Sequence, residues 1–446
     1  MKEIQTQVLD KDTLLLQYSL DTDRSYLWAV TQDSITSYEL PKRTDIEDTA
    51  REVYTLLTDA RKWSESSLNN RRGLSLNKPQ STASTISISP EAIARLSQMV
   101  LAPAAAQLGK KRLVVVADGA LQFIPFAALP VPNADNQSPG SEQQTANAYQ
   151  PLIAEHEIVS LPSASTLAVL RNEVKDRQPA PKTFAVLADP VFERADARLK
   201  KTRENTQANQ RPTPQAMTTV DGAATPRSGN RQRGLGLALV KSATESGVKG
   251  ADLEIPRLPG TRQEAEQILS LVPATSSKQA FDFTANRATA MSADLSQYRY
   301  VHFATHGFLD SQHPELSGIL LSMFDEQGEP QDGFLRAHEV FNLKLAAELV
   351  VLSACQTGLG KEVKGEGLVS LTRGFMYAGS PRVVVSLWSV SDVGTAELMT
   401  RFYKGMLKEG LRPAQALQAA QLSMFKEKRF ASPFYWAAFT LQGEWR

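Results

Sequence analysis

Four short apolar runs constrain the fold of this chain more than any other feature of its sequence. They are Arg112-Leu-Val-Val-Val-Ala, Thr183-Phe-Ala-Val-Leu-Ala, Glu348-Leu-Val-Val-Leu-Ser and Arg382-Val-Val-Val-Ser-Leu. A strand that is apolar at consecutive positions, without alternation, is typical of a parallel sheet that helices cover on both faces. Apolar residues at helical spacing lie between the runs, at 45–59, 90–108, 367–378, 393–407 and 413–426, and a last strand is predicted at 435–441. The sequence therefore predicts an α/β fold with a mostly parallel sheet flanked by helices.

The pattern is interrupted by a polar, basic segment at residues 193–251. Between positions 194 and 249 it has 11 Lys or Arg against 4 Asp or Glu, and few large apolar side chains. Such a composition buries too little apolar surface to offset the entropy of ordering, so a disordered linker is expected. Two alternatives remain: a loop cleaved during activation, and a nucleic-acid-binding arm, although no aromatic residue is interleaved for stacking. A shorter polar insert covers 133–148.

The composition of the chain excludes several kinds of protein. One cysteine among 446 residues rules out an internal disulfide and a cysteine-rich metal site, and it suits a reducing cytoplasm. A formal net charge of +1 gives no overall attraction to nucleic acid or anionic lipid. No run approaches the ~18 apolar residues that span a bilayer, and the first residues have no apolar signal segment. A cytoplasmic location is expected.

Three polar groups end or follow predicted core strands. His306 comes after a strand predicted at 299–304, Cys355 after the strand at 348–353, and Asp392 after the strand at 382–387. Ligands bind at the carboxyl edge of open parallel sheets, where the loops diverge. A nucleophile, a base and a carboxylate are therefore expected in one crevice.

The chemistry that fits these residues is nucleophilic catalysis by a thiol. The thiolate is the reactive species, and the imidazole of His306 can take the proton of Cys355 or pair with its thiolate. The backbone N–H groups of Gly307 and Cys355 are the expected oxyanion donors, since glycine leaves its backbone unshielded. This chemistry needs no cofactor. The alternative for Cys355 is a small buried residue with a packing role.

Other histidines and other site types have less support in the sequence. A zinc pair of His302 and His306 is disfavoured, because residues four apart on a strand are ~13 Å apart and no acid of a metalloprotease motif lies between them. His302 is expected in the core or behind the site. His156, His313 and His338 have no partner signal and are expected at the surface or in loops. The sequence has no phosphate-binding or dinucleotide-binding glycine loop.

The segments His302-Phe-Ala-Thr-His-Gly and Leu352-Ser-Ala-Cys-Gln-Thr-Gly resemble the paired signatures of CHAT domains, which are caspase-like domains often joined to tetratricopeptide repeats. Further resemblance lies in Val116-Ala-Asp-Gly-Ala-Leu, Leu258-Pro-Gly-Thr-Arg-Gln-Glu-Ala, Ser386-Leu-Trp-Ser-Val-Ser-Asp and Ser432-Pro-Phe-Tyr-Trp-Ala-Ala-Phe. The ordered motifs span nearly the whole chain outside the two polar inserts. The repeat array usual in the family is missing, so a stand-alone member or a detached module is expected.

The resemblance implies a caspase-like and separase-like cysteine peptidase with His306 and Cys355 as the catalytic pair. It implies a non-catalytic, pseudo-caspase-like half at residues 1–192 and a catalytic half at 252–446. It also implies that Asp392 binds a basic P1 side chain, the substrate residue before the cleaved bond, with Asp310 as a second candidate. The structural alternative for Asp392 is the N-cap of the helix at 393–407.

The partners expected from this resemblance are a protein or peptide substrate and an activating partner, such as one with tetratricopeptide repeats. Two rival functions stay open at this point. One is an interaction or scaffold module that keeps the fold without cleaving. The other is an acyltransferase or amidase that uses the same Cys355 and His306.

Overall fold

The structure is a computed structural model that describes residues 2, 4–59, 90–132, 149–199, 255–308, 317–356, 366–388 and 390–446, with backbone alone at 90, 354–356 and 366–370. The strands within these ranges are β1 Thr13–Ser19, β2 Ser25–Val30, β3 Ile35–Leu40, β4 Arg112–Val116, β5 Ile158–Ser160, β6 Lys182–Pro190, β7 Ser277–Asp282, β8 Tyr298–Phe308, β9 Gly318–Leu320, β10 Phe334–Arg336, β11 Leu349–Gln356, β12 Arg382–Ser386 and β13 Phe439–Gly443. The helices are α1 Arg43–Leu57, α2 Pro90–Val100, α3 Ala105–Leu108, α4 Ala164–Val174, α5 Pro259–Leu269, α6 Arg287–Ala290, α7 Ala337–Val340, α8 Glu366–Tyr377, α9 Asp392–Leu407, α10 Pro413–Lys426 and α11 Pro433–Trp436.

The strands of the described residues form one sheet. Its order is β7-β6-β8-β11-β12-β13-β5-β4-β1-β2-β3, and β9 and β10 continue from the carboxyl end of β8. Seven of the twelve strand pairs in this described sheet are parallel, and they form most of its centre. The predicted α/β class with a mostly parallel sheet flanked by helices is confirmed. All four apolar runs form strands: β4, β6, β11 and β12.

The two parts of the chain share this sheet and one apolar core. Strand β5 pairs with β13 at Ser160 and Gln442, which joins β1–β5 to β6–β13. The main cluster of buried apolar side chains continues from one part to the other. Arg171 on α4 holds the carboxylate of Glu444 just after β13. The described parts of the chain therefore pack around a common core.

The structure places some residues differently from the division at 192 and 252. Strand β6 falls in the first predicted half, but it pairs with β7 and β8 of the second. Residues 193–199, which the sequence assigns to the linker, are described and bonded. The guanidinium of Arg198 donates to the backbone oxygen of Asp189 at 2.7 Å and to Asp282 Oδ1 at 2.6 Å. The rest of the predicted linker, residues 200–251, and the insert at 133–148 lie outside the described residues.

The last predicted strand, at 435–441, begins later than expected. Ser432 caps a short helix, α11, whose first residue is Pro433, and β13 starts only at Phe439. Proline at the first helical position favours the helix, because its missing N–H would have no intrahelical partner there in any case. Within the described part of the chain, no helix combines the length and the apolar composition needed to cross a membrane.

Candidate active site

The register of β8 and β11 brings the predicted catalytic residues together. Cys355 is the paired position of His306 across these adjacent parallel strands. Neighbouring strands are separated by ~4.8 Å, so the two backbones are close. In the same ladder, His302 pairs with Val351 and Ala304 with Ser353. Because alternate strand residues share a face, positions 302, 306, 353 and 355 belong to one face of the sheet.

The hydrogen bond of His306 defines its tautomer. Its ring is buried, and its Nε2 lies 2.7 Å from the carbonyl oxygen of Pro256. A carbonyl only accepts, so Nε2 carries the proton and Nδ1 bears the lone pair of the neutral ring. Nδ1 is buried, and none of the described residues gives it a hydrogen-bond partner. This is the nitrogen that can accept a proton from a reacting group.

Burial favours the neutral form of His306. The ring packs against Phe192 with centroids 5.0 Å apart. Burial lowers the pKa of His306 below its ordinary 6.5, and the hydrogen bond to Pro256 offsets this only in part. A neutral imidazole is consequently the main form at pH 7, as a general base requires.

An ion-pair cluster holds the segment that carries Pro256. The side chain of Asp189 is fully buried near the end of β6, and its two carboxylate oxygens accept from Arg257 at 2.8 and 2.7 Å. Arg262 donates to the same carboxylate at 2.9 Å, and the N–H of Ile255 donates to a Glu193 oxygen at 2.9 Å. These bonds anchor the chain on both sides of Pro256 and keep its carbonyl oxygen against His306.

A cavity opens beside this pair of strands, where the predicted substrate carboxylate lies. Its volume is about 350 Å³, counting the space open to solvent. The lining residues come from α5, β11, the end of β12, α9 and β13; they are Leu258, Gly260, Thr261, Glu264, Ser353, Ser386, Val390, Asp392, Thr395 and Phe439. Ser353 is two residues before Cys355 on β11, a distance of ~7 Å along a strand. The cavity thus begins next to the position of the thiol.

Asp392 is an exposed residue on the wall of this cavity and the first residue of α9. The alternative role as N-cap belongs to Ser391 instead, whose Oγ accepts from the N–H of Gly394 at 3.2 Å. The carboxylate packs so closely on Gly260 of α5 that a Cβ on that glycine would overlap it. The absence of a side chain at position 260 therefore lets α5 and Asp392 approach each other.

A buried polar network lies at the inner end of the cavity. Glu264 on α5 is 2% exposed, and its Oε2 accepts from Ser353 Oγ at 3.1 Å. Its Oε1 lies 3.0 Å from His302 Nε2, within ion-pair distance. The other ring nitrogen of His302 lies 3.1 Å from the hydroxyl of Tyr403 on α9. Burial, and then the charge of Glu264, raise the pKa of Tyr403 well above 10, so its hydroxyl keeps its proton.

The structure can be compared with the remaining sequence expectations. Gly307 lies inside β8, because this strand continues to Phe308 and pairs there with β9. Asp310 and His313 are outside the described ranges. The expectation for His156 was wrong: the ring is buried and its Nδ1 lies 2.8 Å from the carbonyl oxygen of Lys111. The described residues hold no group of three side chains suited to bind a metal ion.

Sequence reasoning missed Pro256, Asp189 and Glu264 as parts of the site. Only Glu264 left a local signal. The buried stripe of α5 is Thr261, Glu264, Ala265 and Ile268, so a carboxylate stands in an otherwise apolar or small stripe at helical spacing. A buried carboxylate without a nearby cation in sequence implies a partner elsewhere in the fold.

Comparison with known proteins places this α/β chain in a class and then in a family. The CHAT domain profile matches residues 90–444, and the chain belongs to the CHAT domain family. Tetratricopeptide repeat protein 28 of Mus musculus is 30% identical over 218 residues, which are 42% of this chain and 8% of that protein. The human protein of the same name is 30% identical over 215 residues, also 42% of this chain and 8% of its length. The chain thus spans less than a tenth of the length of these relatives.

Two solved structures are similar to the chain at low sequence identity. The Saccharomyces cerevisiae separase–securin complex contains a chain that is 11% identical, with a TM-score of 0.46, covering 99% of this chain and 30% of that one. The Arg specific cysteine proteinase gingipain R is 10% identical, with a TM-score of 0.40, covering 90% of this chain and 74% of that one.

Proposed function

We propose that this CHAT domain protein is a cysteine endopeptidase in which Cys355 is the nucleophile and His306 the base. One observation carries the proposal: the β8–β11 register pairs position 355 with His306, whose unpartnered Nδ1 bears the lone pair. Membership of a family that the sequence relates to caspase-like peptidases supports the same assignment. The reaction is hydrolysis of a peptide bond and needs no redox partner.

In the proposed reaction, His306 Nδ1 takes the thiol proton while the sulfur attacks the peptide carbonyl carbon. The N–H groups of Gly307 and Cys355 are the proposed donors to the oxyanion. The C–N bond then breaks, and the imidazolium gives its proton to the leaving amine. Water, deprotonated by the same imidazole, cleaves the thioester, which releases the carboxylate product and regenerates the thiol.

The proposed substrates are peptides with a basic P1 residue. Asp392 lines the cavity that begins next to position 355, and none of the ten lining residues from the described chain is Lys or Arg. A carboxylate in such a cavity favours a cationic side chain. Asp310, the second candidate for this role, stays a prediction from sequence.

The first test compares cleavage of fluorogenic peptides by wild type, Cys355→Ala and His306→Ala. We expect each variant to lose about 1000-fold or more in kcat, because each removes a member of the catalytic pair. His338→Ala, an exposed histidine on α7, is the matched control and should cleave like wild type. Equal hydrolysis by wild type and Cys355→Ala would reject the mechanism and favour the interaction module.

A further inference from the structure

Glu264 is a buried carboxylate for which the proposed mechanism has no use. It lies on α5 in the motif Leu258-Pro-Gly-Thr-Arg-Gln-Glu-Ala, and it lines the same cavity as Asp392. Its Oε1 is buried and receives no hydrogen bond with proper geometry from the described residues, although His302 Nε2 is 3.0 Å away. Its Oε2 accepts from Ser353. One oxygen therefore retains capacity for a donor.

The position of Glu264 is that of a floor. Ser353 connects it to β11 only two residues before Cys355, and Tyr403 and His302 close the network behind it. Asp392 stands on the wall, pressed against Gly260 one helical turn before Glu264 on α5. The cavity thus has one carboxylate at its mouth and one at its inner end.

We propose that Glu264 is a second specificity-determining carboxylate of this cavity, and that the two carboxylates together select arginine over lysine. This rests on the proposed peptidase function and deepens it. A guanidinium is planar and has five N–H donors, so it can bind two carboxylates and a hydroxyl at once. An ammonium is a compact charge with three donors and gains less from two separated acceptors.

The binding test uses Cys355→Ala protein, so that no chemistry competes with binding. Agmatine serves as the guanidinium probe and n-butylamine as the ammonium probe, and both are titrated by calorimetry. We expect agmatine to bind at least 10-fold more tightly than n-butylamine, and Glu264→Gln to weaken agmatine binding by about 10-fold. Glu266→Gln is the matched control, because it removes an exposed carboxylate two residues away on the same helix.

Agmatine binding within 2-fold of the parent in folded Glu264→Gln would overturn the proposal, and so would equal affinity for the two probes or no binding of agmatine to the parent. If Glu264→Gln does not fold, Glu264→Asp replaces it, since it keeps the charge but shortens the side chain. Weaker agmatine binding by this variant with unchanged n-butylamine binding supports the proposal, and unchanged agmatine binding overturns it.

The kinetic test separates this inference from the proposed function. In the active protein, Glu264→Gln should lower the ratio of kcat/KM for P1 Arg over P1 Lys peptides by about 10-fold. Cleavage that depends on Cys355 but keeps this ratio in Glu264→Gln would refute the role of Glu264 alone. Agmatine binding that depends on Glu264, without any Cys355-dependent cleavage, would refute the peptidase function alone.

Discussion

At the scale of single residues, the environment of His306 matters more than its identity. The carbonyl of Pro256 orients the ring and holds the proton on Nε2, while Phe192 helps to exclude water. Both effects leave a neutral Nδ1 at the position paired with Cys355. Loss of burial, without any change in His306 itself, should therefore alter catalysis.

The first residue-scale prediction concerns pH. The pKa of His306 is lowered from 6.5, chiefly by burial, so the acid limb of kcat/KM should have its midpoint below 6.5. Phe192→Ala should move this limb toward higher pH, because the ring becomes better solvated. Phe334→Ala, in the same small apolar cluster, is the control and should leave the limb in place. An acid limb in Phe192→Ala that coincides with wild type would contradict the argument.

The same lowered pKa has a consequence for stability. The folded protein favours neutral His306, so the unfolded chain binds the extra proton first as the pH falls below 6.5. The associated stability is present above that pH and is lost as the pH falls from 6.5 toward the lower folded pKa.

At the scale of elements, the segment from Ile255 into α5 connects the base to the substrate cavity. Pro256 contacts His306, Gly260 packs on Asp392, and Glu264 lies at the floor of the cavity. Asp189 at the end of β6 anchors this segment through Arg257 and Arg262. Movement of a single segment would disturb both the base and the cavity.

The element-scale prediction is that Arg257→Ala impairs catalysis without a correspondingly large loss of stability. Arg257 is a positioning residue: without its bonds to Asp189, the carbonyl of Pro256 is held less well, and kcat should fall by about 10-fold or more. Alkylation by iodoacetamide gives an independent measurement, because the chain has one cysteine. We expect slower alkylation of Cys355 at neutral pH in Arg257→Ala, since its base is misaligned.

Arg299→Ala is the control for this experiment. Arg299 also makes a paired contact with a carboxylate, to Glu348 at 2.7 and 3.0 Å, and its side chain is 40% exposed against 41% for Arg257. It lies at the opposite, amino end of β8. Both variants should lose about 1 kcal/mol or less of stability, as expected for partly exposed pairs. Equal kinetics and equal alkylation in the two variants would contradict a positioning role.

At the scale of the whole molecule, one sheet and one core unite the two parts of the chain. The junction at β5 and β13 is short, and side chains reinforce it. Arg171 bonds Glu444 and also donates to the carbonyl oxygens of Gln7 and Val8, while its guanidinium lies over the ring of Trp445 at 4.7 Å. This cluster ties α4, the first residues and the end of the chain together.

The whole-molecule prediction is that Glu444→Gln destabilises the protein by about 2–3 kcal/mol at pH 7, because it leaves the largely buried Arg171 without its anion. Burial alone would raise the pKa of Glu444, but the bonds from Arg171 and Arg446 and the charge of Arg171 lower it below 4.5 overall. Its contribution is therefore complete above 4.5 and lost as the pH falls through the lower folded value.

Urea unfolding between pH 7 and pH 4 measures this difference. The gap between wild type and Glu444→Gln should be constant near neutral pH and should narrow in acid. Glu397→Gln, which removes a more exposed partner of Arg401, is the control and should cost about 0.5 kcal/mol. A gap for Glu444→Gln no larger than that of the control would show that the junction does not depend on this pair.

The sequence by itself determined the strands, the fold class and the chain positions of the candidate pair. Apolar runs such as Val114 and its neighbours identify strands, because burial on both faces demands apolar side chains at successive positions. The motifs around His306 and Cys355 also lie within a few neighbouring residues. Local composition and periodicity are enough to recognise such features.

Only the tertiary structure decided the register that pairs His306 with Cys355, the arrival of Pro256 at the ring and the return of Glu264 to the cavity. It also decided that β6 joins β7 and β8 rather than the strands that precede it in the chain. The physical reason is that strand order and register minimise the free energy of the entire sheet and core. A buried ion pair or carbonyl contact between distant residues leaves no periodic signal in the neighbouring sequence.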